Sequence, residues 1–271
     1  MPQTPVTVFE TIADLPDDAP VIVILKAGSQ GFGERARALD TKTAGALSRA
    51  CAAPGFSGKS GECLDIVAPH GLASRRVIVL GLGDPAALTS LSAARAGADL
   101  AAFLEKKGES AAVIAFDTVG SAAVSEEELA CRLALGIRLK RYRFDLRNTR
   151  PGASSEAGWV IGLVGLPETA RGAGLTRINA IADGVEFART LVNLPPNILH
   201  PDSFLDHLAP LREAGIEIET LDEAELKRLG MNALLAVGSA SMHPPRIVVL
   251  RYRGKNGSDA PLAFVGKGVC F

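Results

Sequence analysis

The strongest constraint on this chain is an alternation that runs through its first 165 residues. Short β-rich apolar runs occupy residues 6–9, 21–25, 63–67, 77–82, 112–116 and 159–164, each of strand length. Between them, residues 90–107 place Leu91, Ala94, Ala98, Ala101 and Leu104 at helical steps, with Thr89 or Ser90 as cap and Gly108 as stop. Residues 125–141 repeat the pattern, with Ser125 as cap and Glu126, Glu127 and Glu128 in the first turn. Those carboxylates suit the positive end of a helix dipole and read as capping, not catalysis. Strand and helix in alternation predict an α/β layer domain with a central mixed sheet. The apolar mass is mostly Ala, Val, Leu and Ile, with aromatics at only 5%, which fits strands covered by small-residue helices.

A chain of 271 residues has length for about two domains at roughly 150 residues each. The small-residue stretch after the last of these strands, LPETARGAG, reads as a linker. It places an N-terminal α/β domain at residues 1–167 and a second segment at 168–271. That segment opens on the clearest helix of the chain, 175–194, where Ile178, Ile181, Val185, Ala188 and Val192 mark one face. Pro195 and Pro196 end it, because proline removes a donor and restricts the residue before it. A helix over 202–214, a strand over 216–220 and a short helix over 222–229 follow. Further strands are expected at 234–237, 246–252 and 262–265.

Several chemistries are disfavoured by what the residues lack. The net charge is −1, from 29 basic and 30 acidic residues, so no overall field draws in a nucleic acid. The densest basic run, Arg138 to Arg143 with Arg147 and Arg150 beyond it, reads as the cationic last turn of a helix. Cys51, Cys63, Cys131 and Cys270 have neither zinc spacing nor a disulfide framework. No signal peptide or membrane-length apolar run is present, which predicts a cytoplasmic protein without a membrane partner. Gly81-Leu82-Gly83-Asp84 follows a strand but lacks the third glycine of a dinucleotide loop, so it reads as a turn. Gly266-Lys267-Gly268 fails the phosphate-loop pattern, which needs Ser or Thr after the lysine. His70, His200, His207 and His243 have no metal-motif spacing and read as surface, capping or core residues.

Three stretches in the second half occur together and in order: ARTLVNLPPNILHPDSF (188–204), LGMNALLAVGSASMHPPRIVVLRYRG (229–254) and PLAFVGKGVCF (261–271). They resemble the successive signatures of the leucyl (cytosol) aminopeptidase family. The N-terminal alternation, with its helix ending in YRFD (142–145), is similar to the first domain of the same enzymes. His200 and Cys270 depart from the family pattern, which usually has Thr at both places.

The resemblance implies a fold and a chemistry. The N-terminal α/β domain would be joined by a helix to the truncated start of an α/β metallo-aminopeptidase catalytic domain. Two divalent ions, zinc, manganese or magnesium, would remove N-terminal amino acids from peptides in a homo-hexamer. The family's VGKG lysine is a metal ligand, which maps onto Lys267. An amine coordinates only when neutral; its free pKa is about 10.4, so binding would release a proton. The remaining Asp and Glu ligands, a second lysine and a catalytic arginine are expected beyond Phe271. No catalytic residue is therefore assigned within the chain, which is expected to be inactive as an amino-terminal fragment. The alternative is a non-catalytic binding or regulatory module built on the N-terminal domain.

Overall fold

The computed structural model describes residues 6–16, 18–119, 123–144, 158–254 and 260–270. Asp145, Arg147, Arg150 and Phe271, all named above, lie outside the described residues. The chain divides into two compact units, residues 1–190 and 191–271.

The first unit is built on a six-stranded sheet. Its strands are β1 (Thr7–Ile12), β2 (Val21–Ala27), β3 (Cys63–Val67), β4 (Arg76–Gly83), β5 (Ala111–Ala115) and β6 (Trp159–Val164), in the order β1-β6-β5-β2-β4-β3. All neighbours are parallel except β3 and β4, so the sheet is mixed, as the sequence pattern predicts. β2 sits at the centre, pairing with β4 from Val21 opposite Arg76 and with β5 from Ile22 opposite Val113.

Period two sorts the strand side chains onto two faces. Val21, Val23 and Leu25 join Ile78, Leu80 and Leu82 on one face, beneath α3 (Ser90–Lys106) and α4 (Glu126–Arg141). α5 (Leu175–Asn193) adds Leu175, Ile178 and Ala182 to this core. Ile22 and Ile24 join Val77 and Val79 on the other face, against Ala36 and Leu39 of α1 (Glu34–Lys42) and Leu47 of α2 (Ala46–Ala52). With both faces covered, the central strands read as continuous apolar runs rather than alternating ones.

α3 and α4 approach closely because each has a glycine at the crossing. A Cβ on Gly136 would lie 1.8 Å from the carbonyl oxygen of Ala94, and one on Gly97 would lie 2.2 Å from that of Leu133. The caps are those expected. Thr89 and Ser92 form a capping box on α3, and Ser125 Oγ accepts from the amide of Glu128.

The basic end of α4 is engaged within the fold. Arg138 pairs with Asp183 and with Glu186, whose Oε1 lies 3.3 Å from its Nε. The guanidinium of Arg141 lies 3.9 Å from the ring centroid of Trp159, the one tryptophan of the chain.

The second unit contains α6 (Pro201–Leu208), β7 (Ile216–Leu221), α7 (Glu223–Arg228), α8 (Asn232–Gly238) and β8 (Ile247–Tyr252). β7 and β8 form an antiparallel pair. The helix expected over 202–214 is α6 up to Leu208, and it tightens into a 3-10 turn over Ala209–Arg212. Pro210, which has no N–H to donate, lies in that turn.

Two strand expectations fail here. Residues 234–237 lie in α8, since an Ala- and Leu-rich run just after a turn at Gly230 favours helix. Residues 262–265 are assigned to no strand, and among the described residues they have no ladder partner. The helices α1 and α2 were not anticipated at all.

Candidate functional site

Lys267, the one site residue predicted from sequence, lies in the stretch 260–270, which is exposed and outside regular structure. Among the described residues nothing hydrogen-bonds or ion-pairs with its amine. The structure therefore places Lys267 without assembling further ligands around it.

A different group does converge in the second unit. One ring nitrogen from each of His200 and His243 and a carboxylate oxygen of Asp202 all lie within 4.8 Å of one another. Among the described residues this is the one group of three His, Cys, Asp or Glu side chains with such spacing.

Its geometry follows from the local sequence. His200 is the N-cap of α6 in an extended conformation, and Pro201 begins the helix with a φ already suited to it. The cap is reciprocal. His200 Nδ1 accepts from the Ser203 amide at 3.5 Å, and Ser203 Oγ accepts from the His200 amide at 3.0 Å. Asp202 follows in the first turn.

His243 arrives from the turn between α8 and β8. Its amide donates to Ser241 Oγ at 3.1 Å. Pro245 packs where a Cβ on Gly238 would be, at 2.6 Å, so that glycine is what lets the turn fold back. Arg246 then donates from Nε to Asp202 Oδ1 at 2.7 Å, while Oδ2 lies 3.7 Å from His243 Nδ1. The two imidazoles stack with centroids 3.7 Å apart and planes 14° from parallel. The hydrogen bond from Arg246 holds the Asp202 carboxyl below its usual range, aided by the nearby charges.

Sequence reasoning missed this group because its two histidines are 43 positions apart and the three residues form no motif. The available signal was His200 standing where the resembled family usually has threonine.

In the first unit a cleft of about 620 Å³ opens where β2 and β4 end, lined by 28–30, 57–59 and 83–86. Gly81 and Gly83 serve backbone pairing here. Gly81 N–H donates to Glu62 O at 2.8 Å and Gly83 N–H to Gly58 O at 3.0 Å. A Cβ on Gly81 would meet Lys59 O at 2.2 Å, so the glycine admits a neighbouring loop. Gly81 to Gly83 are the last residues of β4, not the turn expected of the motif, because their backbone continues the ladder to β2.

The four cysteines are free thiols. Burial pushes the Cys63 thiol up to about 12, with Asp99 adding to the shift, and burial also raises Cys51 and Cys131. Cys270 is exposed. Among the described residues no helix is long and apolar enough to cross a membrane.

Comparison with known proteins places these features in a family. Residues 22–151 match the model of the cytosol aminopeptidase family, N-terminal domain, and residues 186–271 match that of its catalytic domain. A probable cytosol aminopeptidase of Agrobacterium fabrum is 39% identical over 254 residues, covering 92% of this chain and 50% of that protein. One from Sinorhizobium fredii is 42% identical over 232 residues, covering 84% and 46%. The chain spans about half the length of the curated relatives it matches. Among solved structures, a mutant tomato leucine aminopeptidase matches with a TM-score of 0.75 at 24% identity, over 92% of this chain and 52% of that one. The bottromycin maturation enzyme BotP in complex with Mn matches at 0.65 and 24% identity, over 86% and 45%. At these identities the two structures establish the fold alone. Two domain models of one family, in order along the chain, together with relatives near 40% identity, show that this chain belongs to the cytosol aminopeptidase family.

Proposed function

We propose that this chain supplies the N-terminal domain and the opening of the catalytic domain of an aminopeptidase that releases N-terminal residues from peptides. The observation that carries the reading is the order of the two domain matches, residues 22–151 and then 186–271. The relatives' printed names support the activity and a cytosolic location. A homo-hexameric assembly is part of the same proposal.

Two divalent ions, manganese or zinc, would supply the hydrolytic chemistry in the whole enzyme. Lys267 is the residue of this chain proposed to reach one of them, through its neutral amine. The residues present do not fit both ions. One amine cannot hold two dications, and hard cations need several oxygen ligands. We therefore assign no step of hydrolysis to this chain and propose that it is inactive alone.

Two measurements test the proposal. The 271-residue chain should hydrolyse no leucyl-amide substrate when manganese is added. Metal-dependent turnover by it would overturn the inactivity. A chimera continuing this chain with the remaining half of the Agrobacterium relative should turn over, and Lys267→Ala should abolish that. A folded chimera without activity would sink the aminopeptidase reading.

A second reading, a binding module on the first unit, has the cleft at the ends of β2 and β4 in its favour. Open α/β sheets hold ligands outside the carboxyl ends of their strands. A small molecule that raises the melting temperature of the chain, alongside an inactive chimera, would favour this reading.

A further inference from the structure

We propose that His200, Asp202 and His243 form a binding site for one borderline transition dication, of the class of Zn²⁺, Co²⁺ or Ni²⁺. The site is separate from the Lys267 assignment and does not depend on the aminopeptidase reading.

The donor set selects the ion. Two imidazoles and one carboxylate match the three protein ligands of open zinc sites, which leave a fourth position for water. Imidazole suits zinc, nickel and copper, whereas magnesium and calcium prefer all-oxygen shells.

The geometry is near that needed for chelation. Zinc bonds of about 2.0–2.1 Å place neighbouring ligand atoms roughly 3.3 Å apart. The three donor atoms lie within 4.8 Å of one another, so side-chain rotation by about an ångström closes the set. The cap bond that His200 would loosen is already long at 3.5 Å, so turning that ring gives up little. Stacked rings direct their lone pairs side by side, so chelation requires them to tilt toward one another.

The backbone carrying the ligands is fixed. Pro201 and the bond from the His200 amide to Ser203 Oγ, which rotation of the ring leaves intact, set the first turn of α6. Pro245 against Gly238 and Arg246 on Asp202 pin the turn that carries His243. Arg246 occupies Oδ1 and leaves Oδ2 facing His243, the arrangement of a ligating carboxylate oriented by a second hydrogen bond. Its positive charge opposes the cation, which sets the site toward modest affinity and away from hard ions held mainly by charge.

The test titrates the 271-residue chain with Co²⁺, followed by visible absorption, and with Zn²⁺, followed by calorimetry. One equivalent of each is expected, with no displacement by excess Mg²⁺. His200→Thr, His243→Gln and Asp202→Asn should each weaken binding about tenfold or more, since loss of even an outer-shell partner can cost 10–100-fold. Proton NMR of the unsubstituted chain removes any dependence on variant folding. With Zn²⁺, the ring signals of two of the four histidines should shift, and those of His70 and His207 should not. Absence of binding, affinity unchanged in the His243→Gln chain, or shifts in none or all of the histidines would each overturn the proposal.

Discussion

Arg246 and Asp202 join the start of β8 to the first turn of α6 through a guanidinium–carboxylate contact, with Nε to Oδ1 at 2.7 Å. In a unit whose sheet is a single antiparallel pair, this tie between separate elements bears on local order.

Arg246→Met keeps the side chain's apolar length and removes the tie. Partial exposure discounts a charge-assisted bond, so about 1 kcal/mol of local stability should be lost. Amide hydrogen exchange in 201–208 and 247–252 should quicken, with exchange in the first unit unchanged. Equal protection in both forms would show the contact to be energetically idle.

Two helix glycines, one at the α3–α4 crossing and one away from it, should respond in opposite ways to alanine. Gly136→Ala drives a methyl into the Ala94 carbonyl and should destabilise by about 1–3 kcal/mol or more. Gly184→Ala in α5 meets nothing within 4 Å and should stabilise by about 0.5–1 kcal/mol through helix propensity. Urea unfolding followed by Trp159 fluorescence measures both, because that single tryptophan is buried in the first unit. Equal midpoints for the two variants would refute the close approach.

Asp117 lies beyond β5, yet it caps α1. Its Oδ1 and Oδ2 accept from the amides of Arg35 and Ala36, each at 3.0 Å. Asp117→Ala should cost about 1–2 kcal/mol, as loss of a strong N-cap does, and Asp117→Asn should restore part of it. Thermal unfolding of the three chains gives the order directly.

Asp65 makes the stability pH-dependent. Burial is the largest single influence and opposes its ionisation, but the bonds and charges of Arg76 and Lys107 together outweigh it and hold its carboxyl low. Lys107 Nζ is 2.9 Å away, and Arg76 also reaches Glu109. A depressed folded pKa contributes stability that is present above the unfolded value, about 3.9, and is lost as pH falls through the folded value. Wild type should therefore exceed Asp65→Asn at neutral pH, and the gap should narrow below about pH 4. A gap that is constant down to the acid range would rule out this linkage.

The fold was legible where local chemistry and tertiary need coincide. The six sheet strands, the caps of α3 and α4 and the proline stop of α5 could all be read from residue type and period. α1 and α2 could not, because α2 starts at a left-handed Gly45 and α1 takes its cap from Asp117, 81 to 82 positions away. The 234–237 run is short and apolar enough to read as a strand, but its Ala and Leu content just after the turn at Gly230 decides for helix. For 262–265, apolar composition suggested a strand, but a strand exists only beside a partner. Lys267 was singled out through a motif alone, and among the described residues the structure brings no further ligand to it. The His200, Asp202 and His243 cluster depends on a turn folding back past Gly238, which no spacing rule contains.

The four thiols carry a practical consequence. Cys51, Cys63 and Cys131 are wholly or partly buried and hard to ionise, while Cys270 stands exposed three residues from Lys267. At neutral pH a maleimide dye or spin label should select that position without any engineered cysteine. The unaltered chain thus has its own attachment point for a probe three residues from Lys267, able to report whether that lysine meets a metal ion as proposed.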